Sequence, residues 1–184
     1  IQRDANGVIT DINITWINIA QFKTRGLDFE AAYRTHLDSL GGSLSIRAIA
    51  NYVDSMTLYN GVATVQGAGY VGSQAPYLVP RWRGSLTAVY EGERFGGDIR
   101  ARYITASEYA PETVLPNIGD NSISARLYFD LGLRGYLPFG DNGRLTIYGN
   151  VQNLLDEKPP IASALSPFYD LVGRYFTLGA RMDF

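Results

Sequence analysis

The chain has no cysteine, one histidine and two methionines among its 184 residues. Without cysteine it can build neither a disulfide scaffold nor a zinc–thiolate site, and the absence suits the periplasm or outer membrane without proving either. Lysine is nearly as scarce, with Lys23 and Lys158 the only two. A net charge of -2 and a pI of 5.4 argue against a nucleic-acid binder, which needs a basic patch. There is no long apolar run. The uncharged stretch from Leu58 to Pro80 is rich in Gly, Ser and Gln, so no transmembrane helix is expected. Ile1 to Gly7 is polar and lacks a cationic start followed by an apolar core, so no signal peptide is expected there. Phosphate loops, zinc-ligand spacings, nucleophile elbows and calcium loops are all missing from the sequence. The expectation is therefore no catalytic residue, no metal and no cofactor.

What is present is tyrosine, thirteen of them, twenty glycines and a mean hydropathy of -0.08, the average expected of a wall with two unlike faces. From Tyr175 to Phe184, the residues Phe176, Leu178, Ala180, Met182 and Phe184 alternate with Tyr175, Thr177, Gly179, Arg181 and Asp183. That is the period of a strand with one apolar face. Thr177, Gly179, Met182 and Phe184 together resemble the ending by which barrel-assembly machinery recognises outer-membrane β-barrel proteins.

The same alternation recurs along the chain. Leu27 to Tyr33, Leu44 to Tyr52, Trp82 to Tyr90, Phe95 to Tyr103, Ile123 to Leu133 and Leu145 to Val151 each put apolar residues on one parity and charged or polar ones on the other. The first belongs to an extended segment starting at Ile14. With the last strand this makes seven long antiparallel strands, preceded by a loop or hairpin tip at Ile1 to Asn13. Tight turns are expected at His36–Gly42, Gly92–Gly96 and Pro138–Gly143. Long loops are expected at Asp54–Ala75, Ser107–Asn121 and Leu155–Pro167, with every proline outside strand interiors.

A soluble β-sandwich binding module also hides one apolar face. Two features favour a lipid-facing wall. The apolar parity carries small residues, Ala48, Ala50, Ala88 and Ala101. Aromatics also recur eight positions apart on it: Trp82 and Tyr90, Phe95 and Tyr103, Phe176 and Phe184. Eight steps on a tilted strand span roughly 20 Å, close to the aromatic-girdled apolar band of about 25 Å.

Candidate chemistry is thin. Asp28 and Glu30 share a face with Arg34 and Arg47 and read as an ion-pair ladder rather than an acid–base pair; His36 with Asp38 sits in a tight turn. Tyr59, Tyr70, Tyr77, Tyr109 and Tyr169 lie in or beside the long loops, where a ring can stack on a solute or anchor at the interface. Tyr59, Tyr70, Tyr109 and Tyr169 are taken as candidate ligand-binding residues.

Three stretches in order, Thr24-Arg-Gly-Leu-Asp-Phe-Glu-Ala-Ala-Tyr33, Asn153-Leu-Leu-Asp-Glu-Lys-Pro-Pro160 and Gly173-Arg-Tyr-Phe-Thr-Leu-Gly-Ala-Arg-Met-Asp-Phe184, resemble the closing third of TonB-dependent outer-membrane receptors. The resemblance implies an all-β fold, an antiparallel transmembrane β-barrel segment supplying seven strands of a barrel of about 22. It implies a Gram-negative outer-membrane location and import of a scarce solute, a siderophore, cobalamin or an oligosaccharide. The partners implied are outer-membrane lipid, the assembly machinery, and TonB acting through a plug domain that has no counterpart in residues 1–184. It also implies periplasmic tight turns and extracellular long loops. A small autonomous eight-stranded barrel, with residues 1–13 as the extra strand and a structural or adhesive role, is the alternative.

Overall fold

The computed structural model describes residues 2–11, 21–72, 77–111, 119–140, 143–160 and 167–184. A short hairpin comes first, β1 (Gln2–Arg3) with β2 (Ile9–Asp11). The main elements follow: β3 (Gln21–Leu37), β4 (Gly42–Tyr59), β5 (Thr64–Gln66), β6 (Trp82–Gly92), β7 (Phe95–Ile104), β8 (Ser107–Glu108), β9 (Ser122–Ile123), β10 (Arg126–Phe139), β11 (Gly143–Gln152) and β12 (Tyr175–Asp183). The seven long strands form one antiparallel sheet in the order β12-β11-β10-β7-β6-β4-β3, each paired with its sequence neighbours. The sheet does not close on itself, because β12 and β3 are its two edges. The β1–β2 hairpin forms a separate sheet, so residues 2–11 do not supply the eighth strand that the autonomous-barrel alternative needs.

Register makes the two faces continuous. Ala31 lies opposite Ala48, Ala48 opposite Leu86, Leu86 opposite Ala101 and Ala101 opposite Phe129. On the other face Asn51 lies opposite both Asp28 and Arg83, and Arg102 opposite Ser85 and Tyr128. The apolar face is bare: Leu178 is 83% exposed, Phe176 66%, Leu133 59% and Leu86 51%. A compact monomer of 20.3 kDa exposes about 8,800 Å² by the usual scaling, whereas this chain exposes 12772 Å². A sandwich with its apolar faces packed together has no such excess, so the apolar face requires an apolar medium.

Aromatic rings mark the two borders of that face. Near the long loops, Trp82 stacks on Phe29 and packs against Tyr52, with centroids at 6.2 and 4.6 Å. Near the tight turns, Tyr90 packs on Phe95 at 5.1 Å and Phe139 on Phe184 at 6.1 Å.

Several boundaries differ from the sequence reading. Residues 12–20, and with them the start of the extended segment at Ile14, lie outside the described residues. The loop expected from Asp54 is strand as far as Tyr59, and β5 folds back on it. The reason is a β-bulge: Gly26 pairs with Val53 and Arg25 with Ser55, leaving Asp54 as the extra residue. One extra residue reverses the facing of everything beyond it, so Met56 and Leu58, although on the same parity as Leu44 to Tyr52, turn to the other face, and the charged Asp54 on that parity interrupts the alternation without ending the strand. Ile123 belongs to β9 rather than to the strand of Leu127, and is buried among loops.

Pro138 lies inside β10, opposite Arg144, not in the turn. Two residues earlier the Tyr136 amide donates to the Arg94 carbonyl, so the nitrogen of Pro138 points past the end of the β6–β7 turn, where the ladder has no acceptor to lose.

Candidate functional site

The three long connections do not stand away from the sheet. They fold over its charged face at one end. Val71, Ile104, Ile123, Tyr128 and Tyr169 form a buried cluster, with Tyr109 and Phe168 packed against it. Ile104 and Tyr128 come from the charged face of β7 and β10; the others come from three different connections. Backbone bonds tie two of these together: Val71 N–H donates to the Glu108 carbonyl at 2.9 Å, Gly72 to Tyr109 at 2.8 Å, and Glu108 to Gly69 at 2.8 Å. Gly72 must lack a side chain here, because a Cβ would collide with the carbonyl and ring of Tyr109.

The third connection is fastened by Asn153, which is fully buried. Its amide N–H donates to Asp130 Oδ1 at 3.0 Å, its Nδ2 to the Glu157 carbonyl at 3.0 Å, and its Oδ1 accepts the Glu157 amide at 2.9 Å. Arg126 adds a bond to the Lys158 carbonyl at 3.0 Å and an ion pair with Glu157 at 3.2 Å. Asp156 accepts the Arg174 amide at 3.1 Å and pairs with Lys158 at 2.8 Å. The hydrogen bond from Lys158, followed by that from the Arg174 amide, holds the Asp156 carboxyl below its ordinary value of 3.8. The Asn153-Leu-Leu-Asp-Glu-Lys-Pro stretch is thus a clip that turns the chain back over the charged face.

Below this roof lie two adjoining cavities of about 630 and 500 Å³ that share Arg100, Arg102, Pro167 and Phe168. Arg102 is engaged by Asp130 at 2.9 Å and by Asp170 of the roof at 3.8 Å. Arg83 lies 5.7 Å from the centre of the Phe168 ring. Further down the same face, Arg134 bridges Asp98 at 3.2 Å and Glu91 at 3.4 Å, and Arg47 pairs with Glu30 at 2.7 Å.

The expected ladder is therefore present for Glu30 and Arg47. Asp28 is held by the Asn51 amide instead, and no ion pair reaches Arg34 among the described residues. His36, which lies near the end of β3 rather than in the expected turn, is 3.6 Å from Asp38, and both are exposed. Charges on the other face begin only at the loop end, where Arg25 pairs with Asp54 beyond the bulge.

Of the four candidate ligand tyrosines, Tyr109 and Tyr169 meet in the buried cluster, and burial pushes the Tyr169 phenol up to about 12. Tyr70 bridges Glu108 beside them. Tyr59 stands apart at the tip of β4, its hydroxyl donating to the Gly61 carbonyl at 3.0 Å. The arginines and Phe168 that line the cavities were not singled out from sequence. The clue available there was arginine on the polar parity of adjacent strands, at Arg83, Arg100 and Arg102.

In the last strand Thr177 faces Asn150 and Gly179 faces Tyr148, whose ring fills the space a Cβ on Gly179 would need. Met182 lies opposite Leu145, and Phe184 packs on Phe139.

A sheet bare on one face, charged on the other and roofed by its long loops is the geometry of a barrel wall around a lumen. Compared with models of known families, residues 1–154 match the TonB dependent receptor-like, beta-barrel family. The chain belongs to that family. Neither curated proteins nor solved structures return a match. TonB-dependent receptors are outer-membrane receptors and transporters of Gram-negative bacteria rather than enzymes, and the chain is a strand-rich segment of such a barrel. Its bare face is accordingly the lipid face and its charged face the lumenal one.

Proposed function

We propose that this chain supplies wall and outer loops to an energy-coupled outer-membrane importer of a scarce solute. The observation that carries the reading is the inward fold of all three long connections over a charged, cavity-bearing lumenal face. Loops that merely shielded a rim would have no reason to bury Tyr169 and Val71 against Tyr128 of the wall.

In this reading the tight turns are periplasmic, the roof is extracellular, and the seven strands join others in a barrel of about 22. Two open edges support that: in lipid each unpaired backbone group costs several kcal/mol, so β3 and β12 need further strands beside them. TonB acts through a plug domain within the barrel. The assembly machinery reads Thr177, Gly179, Met182 and Phe184. Tyr59 and Tyr70 meet solute from the loops, while Tyr109 and Tyr169 hold the roof that shapes the site.

The test is surface binding and uptake of candidate solutes by cells carrying the full receptor, with and without TonB. The expected result is binding in both strains and uptake only with TonB; uptake that persists without TonB overturns the importer reading.

A further inference from the structure

Several lumenal arginines have no carboxylate partner among the described residues, and two of them share one cavity. Arg47, Arg102, Arg126 and Arg134 each have a carboxylate within 4 Å: Glu30, Asp130, Glu157 and Glu91 respectively. Arg83 and Arg100 have none among the described residues. Arg34 has none either, but it lies on the edge strand outside the cavity. Among the described residues Arg83 reaches only the Asn51 amide oxygen at 3.3 Å and the Phe168 ring, while Arg100 makes no hydrogen bond or ion pair and is drawn only at longer range to Asp130. Both line the cavity of about 500 Å³, together with the already paired Arg102. Among the described residues a single carboxylate lines it, Asp28, which accepts a hydrogen bond from the Asn51 amide and is outnumbered by the three arginines.

Arg83 and Arg100 are both exposed on this face, so their guanidinium groups are open to a solute that enters the cavity. The guanidinium fork is built to bind carboxylate or phosphate through two parallel hydrogen bonds. Arg83 and Arg100 come from adjacent strands, so they present two forks at separate points of one cavity, with the Phe168 ring as the wall beside them.

We propose, building on the importer reading, that this cavity captures an anionic solute with at least two carboxylate or phosphate groups, bridged between Arg83 and Arg100. Phe168 belongs to the clipped connection that starts at Asn153, so the roof contributes one wall of the anion site and the sheet contributes the charge.

The experiment is calorimetric titration of the full detergent-purified receptor with tricarballylate, pyrophosphate and the uncharged maltotriose. At least one anion is expected to bind and maltotriose is not; whichever anion binds more tightly assigns the group as carboxylate or phosphate. Arg83→Gln and Arg100→Gln should each weaken binding by about tenfold or more, as loss of a charge-assisted pair does. Arg100→Lys, which keeps the charge, should weaken it less and so separates loss of charge from a failure to fold. Arg144→Gln serves as the control, since Arg144 stacks on Tyr136 away from this cavity.

Anions binding no better than maltotriose overturn the proposal, and so do Gln variants that bind like the parent. A rise in planar-bilayer conductance in the Gln variants with anion binding unchanged also overturns it, because the two arginines then hold another part of the receptor. Each of these results can occur with TonB-dependent uptake intact, and anion binding can stand with that dependence absent, so the two readings fail separately.

Discussion

Leu86 is the residue at which the two-faced wall can be tested most quantitatively. It lies midway between Trp82 and Tyr90, the aromatic borders of β6, and is 51% exposed on the apolar face, with Ala48 and Ala101 as cross-strand neighbours. Four strand steps at about 3.3 Å, on a strand tilted near 40°, put it roughly 10 Å from either border. Arginine at that depth costs about 2–4 kcal/mol against lipid, an equilibrium factor of roughly 30 to 900. The small alanines beside it offer no partner for the charge.

Three residues on, Val89 faces the lumen opposite Ser45 and Asp98, so Val89→Arg places the same side chain in water next to a carboxylate. Leu86→Arg should therefore lower the folded fraction of the full receptor in urea titrations in lipid vesicles by an amount in that range, while Val89→Arg changes it by less than about 1 kcal/mol. Heat-modifiable gel mobility reports the same contrast. Equal loss in the two variants refutes the assignment of faces.

Asn153→Ala removes the two side-chain hydrogen bonds to Glu157 at a fully buried site and should loosen the clip by about 1–3 kcal/mol, read as faster proteolysis between residues 154 and 174 with the strands intact. Gly179→Val forces a Cβ into the Tyr148 ring and should lower assembled receptor; restoration by Tyr148→Ala assigns the defect to strand packing, and persistence of the defect assigns it to the assembly signal. Because the Asp156 carboxyl is held below 3.8, its contribution to the clip is complete above that pH and is lost as pH falls through the lowered value; amide exchange at Arg174 should rise there and not at neutral pH. Tyr169, pushed from 10.0 to about 12 by burial, favours the neutral phenol, so roof stability present below pH 10 should fall as pH rises towards 12, followed by phenolate absorbance.

The long strands were legible because lipid and water impose a period of two over eight or more residues, a signal strong enough to survive single exceptions. Leu127 to Leu133 and Phe176 to Phe184 show this most cleanly. The upper end of β4 was not legible: the charged Asp54 falls on the apolar parity and reads as the end of the strand, whereas it is the bulge residue beyond which Met56 and Leu58 turn to the other face.

The roof was illegible for a different reason. Val71, Ile123 and Tyr169 meet across some 98 residues of chain, and nothing local marks a loop residue as buried rather than solvent-facing. The tyrosines were therefore read as ligand contacts, although Tyr109 and Tyr169 belong to the packed cluster. Asn153 shows the middle case, since its stretch was noticed but the clip depends on Asp130, from another strand.

The central claim, lipid on one face and lumen on the other, is tested most directly by lipid-borne quenching along β7. Residues 1–184 contain no cysteine, so single cysteines at positions 98 to 103, each carrying a bimane label in the full receptor, report without background from this region. Brominated lipid should quench the label at Ile99, Ala101 and Tyr103 and leave it bright at Asp98, Arg100 and Arg102. Uniform quenching along the strand, or quenching of the second set in preference to the first, would contradict the account.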